Sequence, residues 1–225
     1  MEKKIYHGSK DIVKKPLYGY GKKTNDYGLG FYCTESIDLA KEWAVDFDRN
    51  GYCNCYTLEM DGLKILNLNS KQYNILHWLT ILLQNRTFTV NTPLAQEAKQ
   101  YLIDNFSIDY RSYDVIIGYR ADDSYFSFSQ DFINGSISYQ QLTKAMYLGN
   151  LGEQIVLISK KAFDQIKFVE VIDAEKEIYY PSKKQRDEKA RTDYFDTRKM
   201  KRNKNDLYIV DILDEEIKSD DKRLQ

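Results

Sequence analysis

The order of strand-like and helix-like segments constrains the fold of this chain more than any other feature of its sequence. Apolar alternation and short apolar runs predict strands at residues 3–8, 55–60, 64–68, 113–119, 153–159 and 167–173. Helical spacing of apolar residues predicts helices at residues 34–47, 71–83, 93–105, 138–148 and 160–166. Because these segments do not alternate as regular βαβ units, the sequence favours an α+β fold over a doubly wound sheet.

Composition limits the classes of protein to which the chain can belong. Its 225 residues are 42% hydrophobic and 30% charged, with a net charge of −1. These values are typical of one well-buried domain and give no overall attraction to nucleic acid or membranes. The three cysteines and two histidines fit neither a disulfide framework nor a zinc site, so we expect no metal. Since no apolar stretch has signal-peptide or membrane-spanning length, we expect a cytoplasmic protein without membrane contact.

A change of character near residue 181 divides the sequence into two parts. Residues 1–180 carry the predicted strands and most of the predicted helices, and we assign them to the main domain. Residues 183–204 are rich in lysine and arginine with interleaved acids, as in a solvent-facing helix, and residues 207–213 are apolar. We therefore expect residues 181–225 to form a charged extension that packs on or flanks the same domain.

Three short motifs place polar or aromatic residues beside glycines at predicted strand ends. They are His7-Gly8-Ser9, the run from Gly28 to Tyr32 with sequence GLGFY, and Glu153-Gln154 after Gly152. A long polar loop, residues 9–30, joins the first motif to the second, and such loops are often functional. Each motif alone is typical of an ordinary turn before a core strand. Together they predict a cleft lined from rigid supports.

The order of the three motifs resembles the H-Y-E type of ADP-ribosyltransferase, the superfamily of diphtheria-toxin-like toxins and poly(ADP-ribose) polymerases. The chain also resembles an uncharacterised bacterial family assigned to that superfamily, from Ile5 to at least Phe168. The resemblance implies a split antiparallel β-sandwich with surrounding helices and a helical insertion. It further implies an enzyme that cleaves NAD at the nicotinamide ribose and transfers ADP-ribose to a protein or nucleic acid.

The resemblance also assigns roles to the first two motifs. His7 would hydrogen-bond a ribose hydroxyl of NAD, and Gly8 would present its backbone N–H and C=O to the nicotinamide amide. Ser9 and Gly30 would complete the binding surface for the dinucleotide. Tyr32 would stack on the nicotinamide ring as part of the catalytic motif.

The remaining assigned positions are a second aromatic residue and an acid. Trp43 would enclose the nicotinamide from the side opposite Tyr32. Glu153 would bind the 2′-hydroxyl of the reacting ribose and stabilise the positive charge that develops there. Gln154 is the alternative to Glu153, because a shift of one residue along a strand exchanges the two faces of the sheet.

Two departures from the family pattern leave alternatives open. Ala40 stands where many polymerase-type members have a serine, and Gln154 in place of a glutamate would give a weaker or single-transfer enzyme. The paired acids Asp122 and Asp123 either face the cleft or belong to a solvated loop. The alternatives to transfer are a degenerate module that binds NAD, ADP-ribose or a partner, and an NAD glycohydrolase. A toxin or antiphage effector with an antitoxin partner is the biological role that the resemblance implies.

Overall fold

The computed structural model describes residues 1–121, 123–148, 152–199, 203 and 205–224. The strands in these ranges are β1 (Glu2–Ser9), β2 (Phe31–Cys33), β3 (Gly51–Glu59), β4 (Ile65–Asn67), β5 (Val115–Tyr119), β6 (Glu153–Leu157) and β7 (Ile166–Ala174). The α-helices are α1 (Ile37–Ala44), α2 (Ile75–Asn85), α3 (Pro93–Phe106), α4 (Asp123–Ile133), α5 (Tyr139–Ala145), α6 (Lys160–Gln165), α7 (Lys176–Lys199) and α8 (Ile209–Asp214). This mixture confirms the α+β class.

The strands form two sheets. The first has the order β1-β3-β7 and is antiparallel throughout. The second has the order β2-β6-β5-β4, in which β2-β6 and β6-β5 are antiparallel and β4-β5 is parallel. This parallel pair differs from the wholly antiparallel sandwich that the resemblance implies. It arises because α2 and α3 carry the chain from β4 back to the start of β5, as a parallel crossover requires.

The second sheet is buried on both faces. Val115 and Leu157 pack with residues of the first sheet, while Ile116 and Val156 pack against the helical side of the molecule. The alternation is the ordinary period of two along a strand. Because both faces are buried, residues 115–117 (VII) and 155–157 (IVL) form continuous apolar runs in the sequence.

The two sheets meet at an antiparallel bridge between Tyr6, within β1, and Thr34, the residue after β2. The backbone N–H of Tyr6 donates to the carbonyl of Thr34 at 2.8 Å, and the N–H of Thr34 returns a hydrogen bond at 2.9 Å. Helix α1 follows directly, capped by Ser36, whose Oγ accepts from the N–H of Leu39 at 3.2 Å. These bonds fix α1 against β1, so the first motif and the second lie side by side.

The helical side contains elements that the sequence patterns did not predict. Helix α4 was assigned no structure from its sequence, because its apolar residues are mostly aromatic and follow a polar stretch. Helix α2 begins at Ile75, whereas the sequence predicts a start at residue 71. Asn74 caps the helix, and Nδ1 of His77 accepts a hydrogen bond from the N–H of Asn74 at 3.1 Å. His77 therefore has the structural role expected for a histidine within a helix.

The described residues between 181 and 224 pack on the rest of the molecule. Helix α7 begins at Lys176, so the predicted boundary at residue 180 falls inside a helix. Its first half packs on α1, and its second half places Tyr194 against Phe128 with ring centroids 3.7 Å apart. Ile209 and Ile212 of α8 are fully buried in the same core as α2 and α3. In the described parts of the chain, no helix combines the length and apolarity needed to cross a bilayer.

Candidate functional site

A cleft of about 880 Å³ opens where β1, β2, α1 and β6 come together under the long loop. Among the sequence-predicted residues, it is lined by His7, Gly8, Ser9, Gly30, Tyr32, Trp43 and Gln154. The structure therefore brings all three motifs to one cavity. The lining does not include Glu153.

His7 lies at the floor of this cleft as a neutral imidazole. Its Nδ1 is 2.7 Å from the carbonyl oxygen of Tyr32, and its ring lies 4.4 Å from that of Phe31. A carbonyl only accepts hydrogen bonds, so Nδ1 carries the proton and Nε2 presents a lone pair. Burial lowers the pKa of His7 below its usual 6.5, which keeps the ring neutral at pH 7.

The hydroxyl and the ring of Tyr32 make different contacts. Its hydroxyl donates to the carbonyl of Gly28 at 2.6 Å and accepts from the N–H of Tyr27 at 3.1 Å. These bonds hold the end of the loop in a turn at which Gly28 has a φ of +74°, a value that favours glycine. The hydroxyl is thus structural, and the ring is the part of Tyr32 that lines the cleft.

Trp43 lines the same cleft near the end of α1. The guanidinium of Arg120 lies over its indole, 4.5 Å from the ring centroid. The indole Nε1 is buried and has no hydrogen-bond partner among the described residues. Trp43 therefore offers a stacking surface and an unsatisfied donor at the edge of the cavity.

Adjacent residues of β6 have opposite environments. Gln154 pairs with Gly118 of β5, is 6% exposed and faces the cleft, and its Oε1 has no partner among the described residues. Glu153 is exposed, accepts a 2.6 Å hydrogen bond from Asn69 and lines a separate pocket of about 290 Å³ beside Ser36. Of the two residues considered for the third catalytic position, Gln154 is the one that reaches the cavity.

A buried ion pair in the cleft wall was missed by sequence reasoning. Asp26, 6% exposed, accepts from Nη1 of Arg86 at 2.9 Å and from the N–H of Ala121 at 2.9 Å. Burial raises the pKa of Asp26, while the hydrogen bonds and the charge of Arg86 oppose that shift. The pair joins the long loop to the end of α2 across 60 residues, a separation at which no local pattern reveals a contact.

Asn54 fixes the other end of the loop. Fully buried in β3, it donates through Nδ2 to the carbonyls of His7 and Asp11, both at 3.2 Å, and to Ser9 Oγ at 3.1 Å. Its Oδ1 accepts from the N–H of Val13 at 2.8 Å. Asn54 was not among the sequence-predicted residues; the signal that could have found it is an amide between two cysteines in an apolar strand.

The other positions singled out from the sequence lie elsewhere. Ala40 is buried against Cys53 and Cys55, and its carbonyl oxygen would lie 1.8 Å from a Cβ placed on Gly8. Close packing of α1 on β1 therefore requires glycine at position 8. Asp122 lies outside the described residues, as does the side chain of Asp123. Within the described ranges, no group of histidine, cysteine and acidic side chains could hold a metal ion.

Residues 3–168 match a family model described as "protein of unknown function (DUF3990)". The match covers well over half of the chain, so the chain belongs to this family. It includes the His7 motif, the loop, Tyr32, Trp43 and β6. No curated protein and no solved structure matches the chain.

Proposed function

We propose that this protein is an NAD-dependent ADP-ribosyltransferase that transfers ADP-ribose to a protein or nucleic-acid acceptor. The main support is the convergence of a neutral histidine, two aromatic rings and an unpartnered amide oxygen in one cleft. A cavity of this size, with few and well-placed polar groups, is typical of small-molecule sites. The pairing of a three-stranded sheet with a four-stranded one supports the split β-sandwich that the resemblance implies.

The first step in this proposal is the binding of NAD. Nε2 of His7 accepts a hydrogen bond from a ribose hydroxyl, since Nδ1 is already used by Tyr32. The backbone at Gly8 receives the carboxamide of nicotinamide, and the rings of Tyr32 and Trp43 enclose the pyridinium. A cationic aromatic ring is attracted to the faces of electron-rich rings, which favours the pyridinium of NAD over neutral nicotinamide.

The charges along the cleft suit the diphosphate of a dinucleotide. Lys15, Lys22, Arg86 and Arg120 line it, and Asp26 is the acid among its lining residues. Asp26 is neutralised by Arg86. The ammonium groups of Lys15 and Lys22 favour an anionic ligand, since ammonium groups are common partners of phosphate oxygens in proteins.

The second step is cleavage of the bond between C1′ of the ribose and the nicotinamide nitrogen. The bonding electrons leave with nicotinamide, which becomes neutral, and the ribose passes through an oxocarbenium-like state. Oε1 of Gln154 accepts from the 2′-hydroxyl and places a partial negative charge beside the developing cation. The acceptor atom then bonds to C1′, and its proton passes to solvent, because a neutral amide is not a base.

The position of Gln154 in the cleft also favours one alternative. With a neutral amide in place of a carboxylate, the site stabilises the cation less strongly. A module that binds NAD or ADP-ribose without turnover is therefore the second candidate. Water as the acceptor would make the same site an NAD glycohydrolase.

Nicotinamide release from labelled NAD tests these functions. We expect the purified protein to release nicotinamide and to transfer label to macromolecules in a lysate. The variant His7→Asn should lose both activities. The matched control His77→Asn alters the other buried histidine, which lies outside the cleft, and should retain them.

The outcomes separate the candidates. Release without labelled macromolecules identifies a glycohydrolase. Binding of NAD without release of nicotinamide identifies the binding module. Toxicity on expression, relieved by His7→Asn and not by His77→Asn, would support the role of toxin or effector.

A further inference from the structure

The loop that lines the cleft has a second cavity on its other side. The residues that line this outer pocket, which has a volume of about 620 Å³, include Tyr18, Lys23, Gln84, Arg111, Ile158 and Phe163. The stretch YGYGKK, residues 18–23, divides its side chains between the two cavities. Tyr20 and Lys22 line the cleft, whereas Tyr18 and Lys23 line the outer pocket.

The charge of the outer pocket is uncompensated. Lys23 and Arg111 are exposed cations, and none of the lining residues is acidic. Within the described residues neither cation forms an ion pair, although the guanidinium of Arg111 lies 4.7 Å from the ring centroid of Tyr110. An anionic ligand would therefore meet two charges without first breaking a salt bridge.

A third cavity, beside α7, provides a contrast. It also contains several cations, but Arg186 is paired with buried Glu42 at 2.6 Å and Arg191 with Asp187 at 2.9 Å. An anion there would compete with carboxylates already in place. The number of cations therefore does not single out the outer pocket, whereas its lack of acids does.

The outer pocket also offers a surface for a flat ring. Tyr18 is 58% exposed and meets Phe163 edge-on, with centroids 5.5 Å apart, while Leu29 and Ile158 extend the apolar wall. Gln84 donates its Nε2 to Ser107 at 3.0 Å, which leaves the amide oxygen at the pocket as an acceptor. Aromatic rings beside unpaired cations are the combination that binds a base together with its phosphate.

We propose that the outer pocket binds a nucleotide, with its phosphate at Lys23 and Arg111 and its base against Tyr18 and Phe163. The proposal does not depend on NAD cleavage in the neighbouring cleft. The nucleotide is either a free molecule or one unit of a single strand, since both present the same phosphate and base. Because residues 18–30 border both cavities, a strand held here would lie next to the cleft.

Calorimetric titration of the full chain with AMP, with a single-stranded adenine trinucleotide and with inorganic phosphate tests this proposal. We expect the double variant Lys23→Gln/Arg111→Gln to bind AMP and the trinucleotide at least about tenfold more weakly, since both charged hydrogen bonds to the phosphate are lost. The double variant Lys71→Gln/Lys218→Gln removes the same charge from exposed positions outside the described pockets and should bind as the wild type does.

The variant Gln154→Leu separates this pocket from the cleft. It should leave AMP binding unchanged, even if it removes NAD turnover or if the protein has no turnover at all. Equal affinity for AMP and the trinucleotide supports a free nucleotide, and tighter binding of the trinucleotide supports a strand. Wild-type affinity in Lys23→Gln/Arg111→Gln, or failure of the wild type to bind either nucleotide probe, overturns the proposal.

Discussion

The cleft and the small pocket at the start of β6 lie on opposite sides of one strand. Their polar side chains differ in burial and in hydrogen bonding. In the cleft, Gln154 is buried and its amide oxygen lacks a partner. In the small pocket, Glu153 is exposed to water and already accepts a hydrogen bond from Asn69. A buried group without a partner gains most from a ligand, because its desolvation is not otherwise offset. The neutral residue is therefore better placed for chemistry than its charged neighbour.

The largest effect that would test this contrast is expected for Gln154→Leu. Leucine has a similar volume but cannot accept a bond from the ribose, so nicotinamide release should fall about 100-fold or more, as when one stabilising group is removed from an active site. Glu153→Leu, one residue away, should change the rate less than about twofold, since no substrate contact is lost. Steady-state release assays measure both. Loss of activity in Glu153→Leu with activity kept in Gln154→Leu would reverse the assignment.

The second-largest effect is expected on the free energy of unfolding when the buried ion pair of Asp26 and Arg86 is broken. Arg86→Gln leaves the carboxylate of Asp26 without its ion-pair partner, and breaking a buried pair costs about 3–5 kcal/mol. The side chain of Arg86 is 23% exposed, so water offsets part of this cost. We expect the free energy of unfolding to fall by about 2 kcal/mol in denaturant titrations.

The control for this change is an exposed pair outside the cleft. Lys160→Gln removes the partner of Asp164, and both side chains are largely exposed, so the change should be below about 0.5 kcal/mol. Restoration of stability in the double variant Asp26→Asn/Arg86→Gln would assign the loss to the isolated charge. If Arg86→Gln and Lys160→Gln lowered the free energy of unfolding equally, the contrast between the cleft and the surface would be contradicted.

Under the proposed function, the pH dependence of NAD binding tests the role of His7. Burial lowers its pKa below 6.5, so the ring is mainly neutral, and Nε2 is an acceptor, at pH 7 and above. NAD affinity should be constant over that range and should fall as the pH drops through the lowered pKa. Titrations at several pH values measure this, with His7→Asn as the variant in which the acid loss is absent. Affinity that rises in acid would exclude Nε2 as the acceptor.

The free energy of unfolding should also decrease as the pH falls. Between pH 6.5 and the lowered pKa, the unfolded state binds a proton that the folded state does not, so the contribution of His7 is complete above 6.5 and decreases in acid. Burial also lowers the pKa of His77, which adds a similar decrease. The difference in the free energy of unfolding between wild type and His7→Asn, measured at several pH values, gives the pH dependence that is due to His7. A difference that is independent of pH would contradict the lowered pKa.

The smallest effect is expected for Tyr32→Phe, which separates the role of the Tyr32 ring from that of its hydroxyl. Tyr32→Phe keeps the surface proposed for nicotinamide and removes the hydrogen bonds to Gly28 and Tyr27, so unfolding should require about 1 kcal/mol less. Turnover should stay within a few-fold of wild type. Tyr52→Phe removes a hydroxyl outside the cleft and is the control. A loss of turnover comparable to that of Gln154→Leu would give the hydroxyl a catalytic role.

How much of the site could be predicted depended on whether its residues share a local pattern. His7, Tyr32 and Trp43 were found because each lies in a short motif at a strand end or on a helix that follows one. The pair of Asp26 and Arg86 was missed, since their contact depends on how a loop meets the end of a distant helix. Helix α4 was not predicted, although Tyr125, Phe128 and Phe132 recur at helical spacing and are buried.

The sequence by itself determined that residues 153 and 154 point to opposite faces of β6, because side chains alternate along any strand. The sequence also predicted the end of β1 to within one residue, because a glycine and polar residues close its apolar segment, whereas β2 was not among the predicted strands. The tertiary structure decided which face of β6 meets the cleft. That choice depends on the register of Gln154 opposite Gly118 and on the packing of the first sheet against Val115 and Leu157. Contacts between strands so far apart in the chain are set by the packing of the whole core, which no local pattern records.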